Sequence, residues 1–390
     1  MRICWFMVLM FGASCLAQEP KSVPALKLKV QPGTTIMPQP IVPAGLKTMD
    51  RMTQVKTHLE NYHAACASFV ERIARTPEQE KAALLSKTPP VLTTVHLLCQ
   101  LVQANPGDDA SMEALVFLAR VADIPKVANL MSKFPGAKPE ETPTPFKPLE
   151  LILKHHANHA KTAEFILKTN WTPELSEFTR AVFAKTTNPE VRGKAGYRLA
   201  SETLREGDEK AAEPLLESLV RDRYLEGVYA SGKTLSISAW ADGKLREIRL
   251  LKVGKIIPEV SAETLEGKKQ TISDFRGRVV VVDVWTTWCG PCKAMIPHQR
   301  EMVKKLQGRP FELLSVSCDE EKNTLTEFLQ KNEMGWKHWW AGRGGEFSKM
   351  LNISFYPTIY VIDARGTIRY KNIRGEELEK AIESLLQEVK

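Results

Sequence analysis

Two cysteines, Cys289 and Cys292, are separated by two residues and directly follow the apolar stretch VVVVDVW of residues 279–285. The stretch has the length and composition of a strand buried on both faces, and a helical pattern follows it to about Leu306. The first cysteine is therefore predicted where a strand ends and a helix begins. Unpaired amide N–H groups and the positive end of the helix dipole favour a thiolate there, which is the reactive form of cysteine.

The residues around the pair fit a redox dithiol. Pro291 suits the first helical turn, where its missing N–H is not needed, and Gly290 completes a Cys-Gly-Pro-Cys segment. Cys292 is one helical turn from Cys289, so it can attack a mixed disulfide formed on Cys289. Trp288 directly precedes the pair and is placed to shield the sulfur.

Asp283 is the only polar residue of the apolar stretch, with Val282 and Val284 on either side. A carboxylate within an apolar strand is unfavourable unless it is protonated or partnered. Burial raises the pKa of such a group and would let it exchange a proton with Cys292 during attack. We therefore predict that Asp283 is buried and takes part in proton transfer.

Zinc binding is the competing use of a Cys-x-x-Cys pair. A structural zinc site takes four ligands, and the chain has no second pair of this kind. Cys318 and His298 have no spacing that supports a shared site, and Cys318 is expected to be a packing residue. A Cys-x-x-Cys pair beside a strand–helix–strand pattern favours redox chemistry, so neither a metal nor another cofactor is expected.

The 390-residue chain is long enough for two domains with connecting segments. Its composition, 43% hydrophobic and 26% charged, is that of a globular protein. The formal charge of +8 indicates a basic surface. No run of Lys and Arg is interleaved with aromatic residues, so no nucleic-acid partner is expected.

Residues 1–17 have the order of a secretory signal peptide: Arg2, an apolar stretch, then small residues ending at Ala17. The apolar stretch is too short to span a bilayer as a helix. Lipidation at Cys15 is an alternative, although Gly12 stands where such signals usually carry Leu. Prolines recur through residues 18–47 and predict an extended linker. We expect an exported protein, either periplasmic or tethered to the membrane.

Residues 48–253 are predicted to form an all-α, repeat-like domain, because apolar residues recur there at three- and four-residue spacing. Two of its segments begin with Asn-Pro before an amphipathic helix. The domain offers no catalytic set, and its helical surface suits a protein partner. Cys66 and Cys99 either form a disulfide between neighbouring helices or are small core residues. His155 and His159 are predicted one helical turn apart, as metal ligands or as a helix-terminal histidine cluster.

Residues 254–390 are predicted to form an α/β domain. Short strands surround a Glu-Gly turn, the cysteine-bearing helix connects two further strands, and a hairpin with an amphipathic helix closes the chain. The expected fold class is therefore multidomain, with an all-α helical repeat-like domain at the N-terminus and an α/β domain at the C-terminus.

The segment WCGPCK is similar to the active-site sequence of thioredoxins, and its surroundings resemble the exported TlpA/ResA-like branch of that family. The segments SDFRG, SVSCDEE and YPTIYVIDARGTI carry the resemblance, which covers about Lys255 to Lys390. It implies a thioredoxin fold, exchange with protein thiols and disulfides, an exported or membrane electron donor, and a part in redox homeostasis and cytochrome c maturation. The Gly-Pro dipeptide resembles that of reducing members, so reduction of protein disulfides is expected.

The resemblance also assigns site residues. The attacking, resolving and buried-acid roles fall, in that order, on Cys289, Cys292 and Asp283. Pro357 matches the cis-proline that faces the disulfide, where the preceding backbone can pair with a substrate strand, and Thr358 follows it. Tyr356 departs from the Ile or Thr usual before this proline in thioredoxins and resembles disulfide isomerases.

Two other classes of function stay open. A peroxiredoxin shares the outer fold but needs Pro seven residues before its cysteine and Thr three residues before it. Thr286 is present here, whereas Val282 occupies the proline position. Alternatively, the chain is a helical scaffold that binds a partner, and the dithiol is accessory.

Overall fold

The computed structural model describes residues 50–77, 79–80, 91–132, 145–230, 232 and 235–389. The predicted signal peptide and the proline-rich linker lie outside these residues. Within the described ranges, no helix is both long enough and apolar enough to cross a membrane.

The first half of the chain is helical. Its helices are α1 (Arg51–Arg75), α2 (Val91–Ala104), α3 (Asp109–Val121), α4 (Pro125–Ser132), α5 (Pro148–His155), α6 (Ala160–Lys168), α7 (Pro173–Lys185), α8 (Pro189–Arg205), α9 (Glu209–Arg221) and α10 (Ile237–Leu250). They pack mainly against helices near them in the chain, for example α8 against α7 and α9. Apolar faces of α8, α9 and α10 share one buried cluster, which includes Ala200, Leu216 and Ala241. The amphipathic spacing in the sequence correctly predicted this half as helical.

The two Asn-Pro segments begin their helices differently. Asn188 caps α8, its side chain accepting the N–H groups of Glu190 and Val191, and Pro189 follows it as predicted. The cap of α3 is instead Asp108, two residues after Pro106, because its carboxylate accepts a backbone N–H within the first turn. The expected Asn-Pro start therefore holds for α8 and not for α3.

The structure supports the helix-terminal alternative for the histidines of HHANH, whereas the expected spacing of one helical turn between His155 and His159 was wrong. Helix α5 ends at His155, and His159 caps α6 by accepting the N–H of Lys161 at its Nδ1 (3.1 Å). Between them, the ring Nε2 of His156 is 2.7 Å from the carbonyl oxygen of Pro106. The turn interrupts the apolar periodicity, so the histidines cluster at two helix ends. The part of the chain that the structure describes holds no group of three or more potential metal ligands.

Cys66 and Cys99, the other open question of this half, are both free thiols and both buried. Cys66 lies in α1 and Cys99 in α2. The structure therefore corresponds to the alternative in which they are small core residues.

The second half of the chain contains a seven-stranded sheet with the order β2-β1-β5-β4-β3-β6-β7. Its strands are β1 (Ser261–Thr264), β2 (Lys269–Thr271), β3 (Val279–Trp285), β4 (Phe311–Ser317), β5 (Lys337–Trp340), β6 (Thr358–Ile362) and β7 (Ile368–Lys371). Strands β3, β4 and β5 are parallel, whereas β6 pairs antiparallel with β3 and β7 with β6. The helices of this half are α11 (Gly290–Lys305), α12 (Lys322–Lys331), α13 (Glu346–Met350) and α14 (Gly375–Glu388).

Strand β3 is buried along its whole length, as its apolar sequence predicts. Val280, Val282 and Val284 face one core together with residues of β4, β5 and α13. Val279 and Val281 face the other core, which is covered by α11 and α14. The architecture is thus a helical region followed by a thioredoxin-like α/β domain, and the predicted fold class is confirmed. The boundary at residues 253 and 254 stays a prediction.

Candidate active site at the Cys289–Cys292 pair

The two cysteines form a disulfide at the start of α11, with a sulfur–sulfur distance of 2.05 Å. Cys289 is the N-cap residue, and its Sγ accepts the N–H of Cys292 at 3.2 Å. Gly290 and Pro291 occupy the exposed first turn. When the disulfide opens, this N–H and the helix dipole favour a thiolate on Cys289, so the predicted strand–helix placement is the one observed.

Aromatic side chains surround the disulfide. Tyr356 packs against the buried cluster that contains both cysteines. The ring of Trp288 meets that of Tyr356 edge-on, with 5.8 Å between centroids, and 64% of Trp288 is exposed. Phe355 is also largely exposed, at 51%. Trp288 therefore offers exposed apolar surface next to Tyr356, which packs against the nearly buried cysteines.

Pro357 follows Tyr356 through a cis peptide bond, as the resemblance implies, and leads directly into β6. Two hydrogen bonds define this loop. The Oγ1 of Thr358 donates to the carbonyl of Phe355 at 2.7 Å, and Nη2 of Arg374 donates to the carbonyl of Pro357 at 3.2 Å. Arg374 was not singled out from the sequence, because it is distant along the chain and reaches the site from the start of α14.

Asp283 is buried in β3, with only 4% of its surface exposed, on the sheet face covered by α11. Nε2 of Gln299 donates to its Oδ2 at 2.8 Å, whereas Oδ1 is buried and has no hydrogen bond from any residue the structure describes. Burial raises the pKa of Asp283 to about 6, against the opposing effects of Gln299, Arg374 and the hydroxyl of Ser315. A carboxyl group with this pKa can take up and release a proton near neutral pH.

Asp319 is a buried residue of the site that the sequence did not reveal. Both of its carboxylate oxygens are 3.1 Å from the backbone nitrogen of Thr287, and Oδ1 also accepts the Thr287 hydroxyl at 2.9 Å. The Ser317 hydroxyl donates to Oδ2 at 2.8 Å. Because β3 and β4 are parallel, their carboxyl ends are adjacent, and Asp319 ties the loop before Cys289 to the end of β4. A carboxylate directly after a buried strand was the available signal.

Cys318 lies in the core as expected for a packing residue. Its Sγ is 3.4 Å from the Oγ of Ser348, and burial raises the pKa of its thiol. The structure therefore brings together the two cysteines and Tyr356 of the cis-proline loop, with Trp288 against Tyr356. Asp283 lies on the sheet face that α11 covers, and Cys318 lies among apolar side chains.

Comparisons with known proteins match the half of the chain that contains the Cys289–Cys292 disulfide. Residues 253–371 match the AhpC/TSA family. The thiol-disulfide oxidoreductase ResA of Bacillus thuringiensis subsp. konkukian is 28% identical over 139 residues, which are 36% of this chain and 79% of that protein. ResA of Geobacillus thermodenitrificans is 27% identical over 138 residues, which are 35% of this chain and 78% of that protein.

Solved structures give matches of similar extent. The thioredoxin domain of a thiol-disulfide oxidoreductase from Bacteroides vulgatus is 22% identical with a TM-score of 0.33, and the match covers 35% of this chain and 98% of that chain. A thiol-disulfide oxidoreductase from Bacteroides fragilis is 24% identical with a TM-score of 0.32, covering 34% of this chain and 99% of that chain.

Proposed function

We propose that the chain is a thiol-disulfide oxidoreductase of the TlpA/ResA-like type and that it reduces disulfides of exported proteins. The match of residues 253–371 to the AhpC/TSA family and the similarity to ResA proteins support the proposal. The observation that carries the proposal is the hydrogen bond from the N–H of Cys292 to Sγ of Cys289 at the start of α11. It marks Cys289 as the sulfur whose thiolate the helix stabilises.

The proposed reaction has two exchanges. The Cys289 thiolate attacks a substrate disulfide, forms a mixed disulfide and releases the first substrate thiolate. Asp283 then accepts the proton of the Cys292 thiol, and the Cys292 thiolate attacks Sγ of Cys289. This second attack forms the Cys289–Cys292 disulfide and releases the second substrate thiolate. Two electrons pass from the dithiol to the substrate, and the substrate takes up two protons.

The substrate is proposed to lie as an extended segment along Tyr356 and Pro357. The backbone before a cis-proline can pair with a substrate strand. The exposed residues Trp288, next to Cys289 in the chain, and Phe355, next to Tyr356, offer apolar surface to such a segment. Phe355 extends the predicted set of supporting residues.

The proposal also covers where the protein is located, what reduces it and what its helical half binds. The signal-like residues 1–17 and the proline-rich residues 18–47 support export, with the protein periplasmic or tethered to the membrane. An exported or membrane-bound donor would then reduce the Cys289–Cys292 disulfide after each turnover, and no other cofactor is needed for the exchange. The helical half is proposed to bind a protein partner through its stacked helices.

The decisive experiment measures reduction of insulin disulfides by the reduced full chain. We expect Cys289→Ser to abolish the reaction and Cys292→Ser to accumulate mixed disulfides, since attack survives and resolution does not. Cys318→Ser is the matched control and should keep the wild-type rate. A reduction potential as high as that of DsbA-type oxidants, about −120 mV, would contradict the proposed direction.

Peroxide reduction is the second candidate, because Thr286 precedes Cys289 by three residues. The Oγ1 of Thr286 is buried and makes no hydrogen bond with any described residue, whereas Val282 packs in the core where a peroxiredoxin has proline. We expect the reduced wild-type chain to consume hydrogen peroxide no faster than Cys289→Ser does. A peroxide-dependent turnover that requires Cys289 would favour this candidate instead.

A further inference from the structure

Gln299 is a buried polar residue of α11, with 2% of its surface exposed, and no role for it follows from the sequence motifs. It follows Cys292 by seven residues, close to two turns of helix, so the two residues lie on the same helix face with Ile296 between them. Side chains in helices lean toward the helix N-terminus, so the amide of Gln299 reaches back toward the cysteine end of α11.

The amide of Gln299 makes a single contact that bears on the chemistry: Nε2 donates to Oδ2 of Asp283 at 2.8 Å. The other carboxylate oxygen, Oδ1, is buried and accepts no hydrogen bond from the described residues. An amide NH₂ group donates and cannot accept, and the carbonyl oxygen of a protonated carboxyl is a better acceptor than its hydroxyl oxygen. The contact at Oδ2 therefore favours the proton of Asp283 on Oδ1. The two carboxylate oxygens are therefore not equivalent.

We propose that Gln299 is a positioning residue for proton transfer: it holds Oδ2 of Asp283 and leaves Oδ1 as the oxygen that exchanges the proton with Cys292. The inference rests on the proposed function, in which Asp283 accepts that proton. In the step, the S–H bond of Cys292 breaks and an O–H bond forms at Oδ1. The Cys292 thiolate then attacks Cys289, and Oδ1 later releases its proton to solvent or to the departing substrate thiolate.

The other groups around Asp283 do not supply this function. Ser315 lies opposite in β4, and its hydroxyl oxygen accepts the indole N–H of Trp336 at 2.8 Å. Its hydroxyl also lowers the pKa of Asp283, but less than Gln299 does. His338 of β5 is the strand partner of Ser315 on its other side. Burial lowers the pKa of His338, so its ring is neutral at neutral pH. Arg374, at the start of α14, attracts the anion but donates to the carbonyl of Pro357. Among the described groups that lower the pKa of Asp283, Gln299 has the largest effect, and its amide hydrogen-bonds the carboxylate at 2.8 Å.

The test is a titration of the Asp283 carboxyl carbon by ¹³C NMR in the oxidised full chain, with Gln299→Leu as the main variant. Leucine keeps the volume and removes the donor to the anion. We expect the pKa of Asp283 to rise by roughly one unit, which is the order expected for loss of one hydrogen bond to a charged group. Gln330→Leu, an exposed glutamine of α12, is the matched control and should leave the titration unchanged.

A second variant, Gln299→Glu, places a carboxyl group beside Asp283. Two adjacent carboxyl groups titrate as a coupled pair, so the upper macroscopic pKa should exceed that of wild type. The pH midpoint of the resolving step, followed as release of a fluorescent thiol from a mixed disulfide on Cys289, should move upward in both variants. A packing defect alone would lower the rate at every pH and leave the midpoint in place.

The outcomes separate the inference from the function on which it rests. If wild type reduces insulin but Gln299→Leu keeps the pKa of Asp283 within about 0.3 units, the positioning role is refuted and the proposed function stands. If Asp283→Asn retains the wild-type rate and pH profile of resolution, the proton-transfer role of Asp283 fails, and the positioning role fails with it. A shift in both the NMR titration and the kinetic midpoint supports the inference.

Discussion

The carboxylate of Asp319 holds the backbone nitrogen of Thr287, which lies two residues before Cys289, at 3.1 Å from each of its oxygens. The same carboxylate accepts the hydroxyl groups of Thr287 and Ser317. One buried group thus connects the end of β4 to the loop from which the first cysteine extends. Loss of this connection should therefore change the position of the loop that carries Cys289.

Asp319→Ala should destabilise the chain and slow insulin reduction. The substitution leaves the partly buried N–H of Thr287 without its acceptor and removes several hydrogen bonds to a charged group. Together these losses cost on the order of 3 kcal/mol. Thermal unfolding and kcat/KM for insulin provide the measurements. Glu320→Ala is the matched control, because its exposed side chain pairs with Arg343 at the surface. Equal effects of the two substitutions would contradict the proposed anchoring.

Asp283→Asn should change the free energy of unfolding of the oxidised chain more favourably at pH 7 than at pH 4, when each value is compared with wild type at the same pH. Burial raises the pKa of Asp283 to about 6, above its unfolded value near 4, so the folded state binds more protons between these values. The contribution of Asp283 is therefore most favourable below about pH 4 and is lost as the pH rises through about 6, a difference of about 3 kcal/mol. Unfolding measured across this window tests the difference.

Asp363→Asn supplies a control of opposite sign. Although burial raises the pKa of Asp363, hydrogen bonds from Thr367, Arg365 and Arg369 lower it below its usual value. Its favourable contribution is present above the unfolded pKa and is lost as the pH falls through the folded one. Asp363→Asn should therefore destabilise the chain at pH 7. If Asp283→Asn showed the same slope with pH as Asp363→Asn, the buried, proton-exchanging state of Asp283 would be wrong.

Trp288→Ala and Phe355→Ala should impair reduction of insulin more than reduction of a small aromatic disulfide. Both rings are exposed; Trp288 adjoins Cys289 in the chain, and Phe355 precedes Tyr356, which packs against the cysteines. They can therefore contact residues that flank a protein substrate's cysteine, while a small reagent needs only the sulfurs. A several-fold rise in KM for insulin, without a matching change for the small disulfide, is the expected result. Tyr224→Ala, at a more exposed aromatic residue of the helical half, should change neither value.

The three buried cysteines Cys66, Cys99 and Cys318 should resist alkylation in the folded, oxidised chain. Burial raises the pKa of each thiol, so little thiolate forms near neutral pH. Mass spectrometry of peptides alkylated before and after unfolding measures their protection. Brief reduction of the folded chain should add label at Cys289 and Cys292 only among these five cysteines. A disulfide-linked peptide pair joining Cys66 to Cys99 would contradict the structure.

The sequence by itself determined the features that depend on neighbours along the chain. The apolar run of residues 279–285 requires a strand buried on both faces, and the Pro291 that follows permits a helix to start at once, so Cys289 had to lie at that junction. The same run made burial of Asp283 predictable, because both of its neighbours are valine. Amphipathic spacing likewise predicted helices before residue 250.

Local pattern misled where turns interrupted it. HHANH has helical spacing, yet the chain turns after His155. Strand β5 was not predicted, because its sequence KHWW lacks a clear alternation of apolar and polar residues. That short strand forms because β4 and β1 supply backbone hydrogen-bond partners on either side of it. Such partners are invisible to any pattern read along one segment.

Only the tertiary structure decided which distant side chains meet the dithiol. Gln299 reaches Asp283 across the packing of α11 on the sheet, Asp319 reaches Thr287 across adjacent strand ends, and Arg374 reaches the carbonyl of Pro357 from the start of α14. Each contact joins segments between 16 and 32 residues apart. Hydrogen bonds act over about 3 Å, so their partners are set by how strands and helices pack, and residue types along the chain leave that choice open.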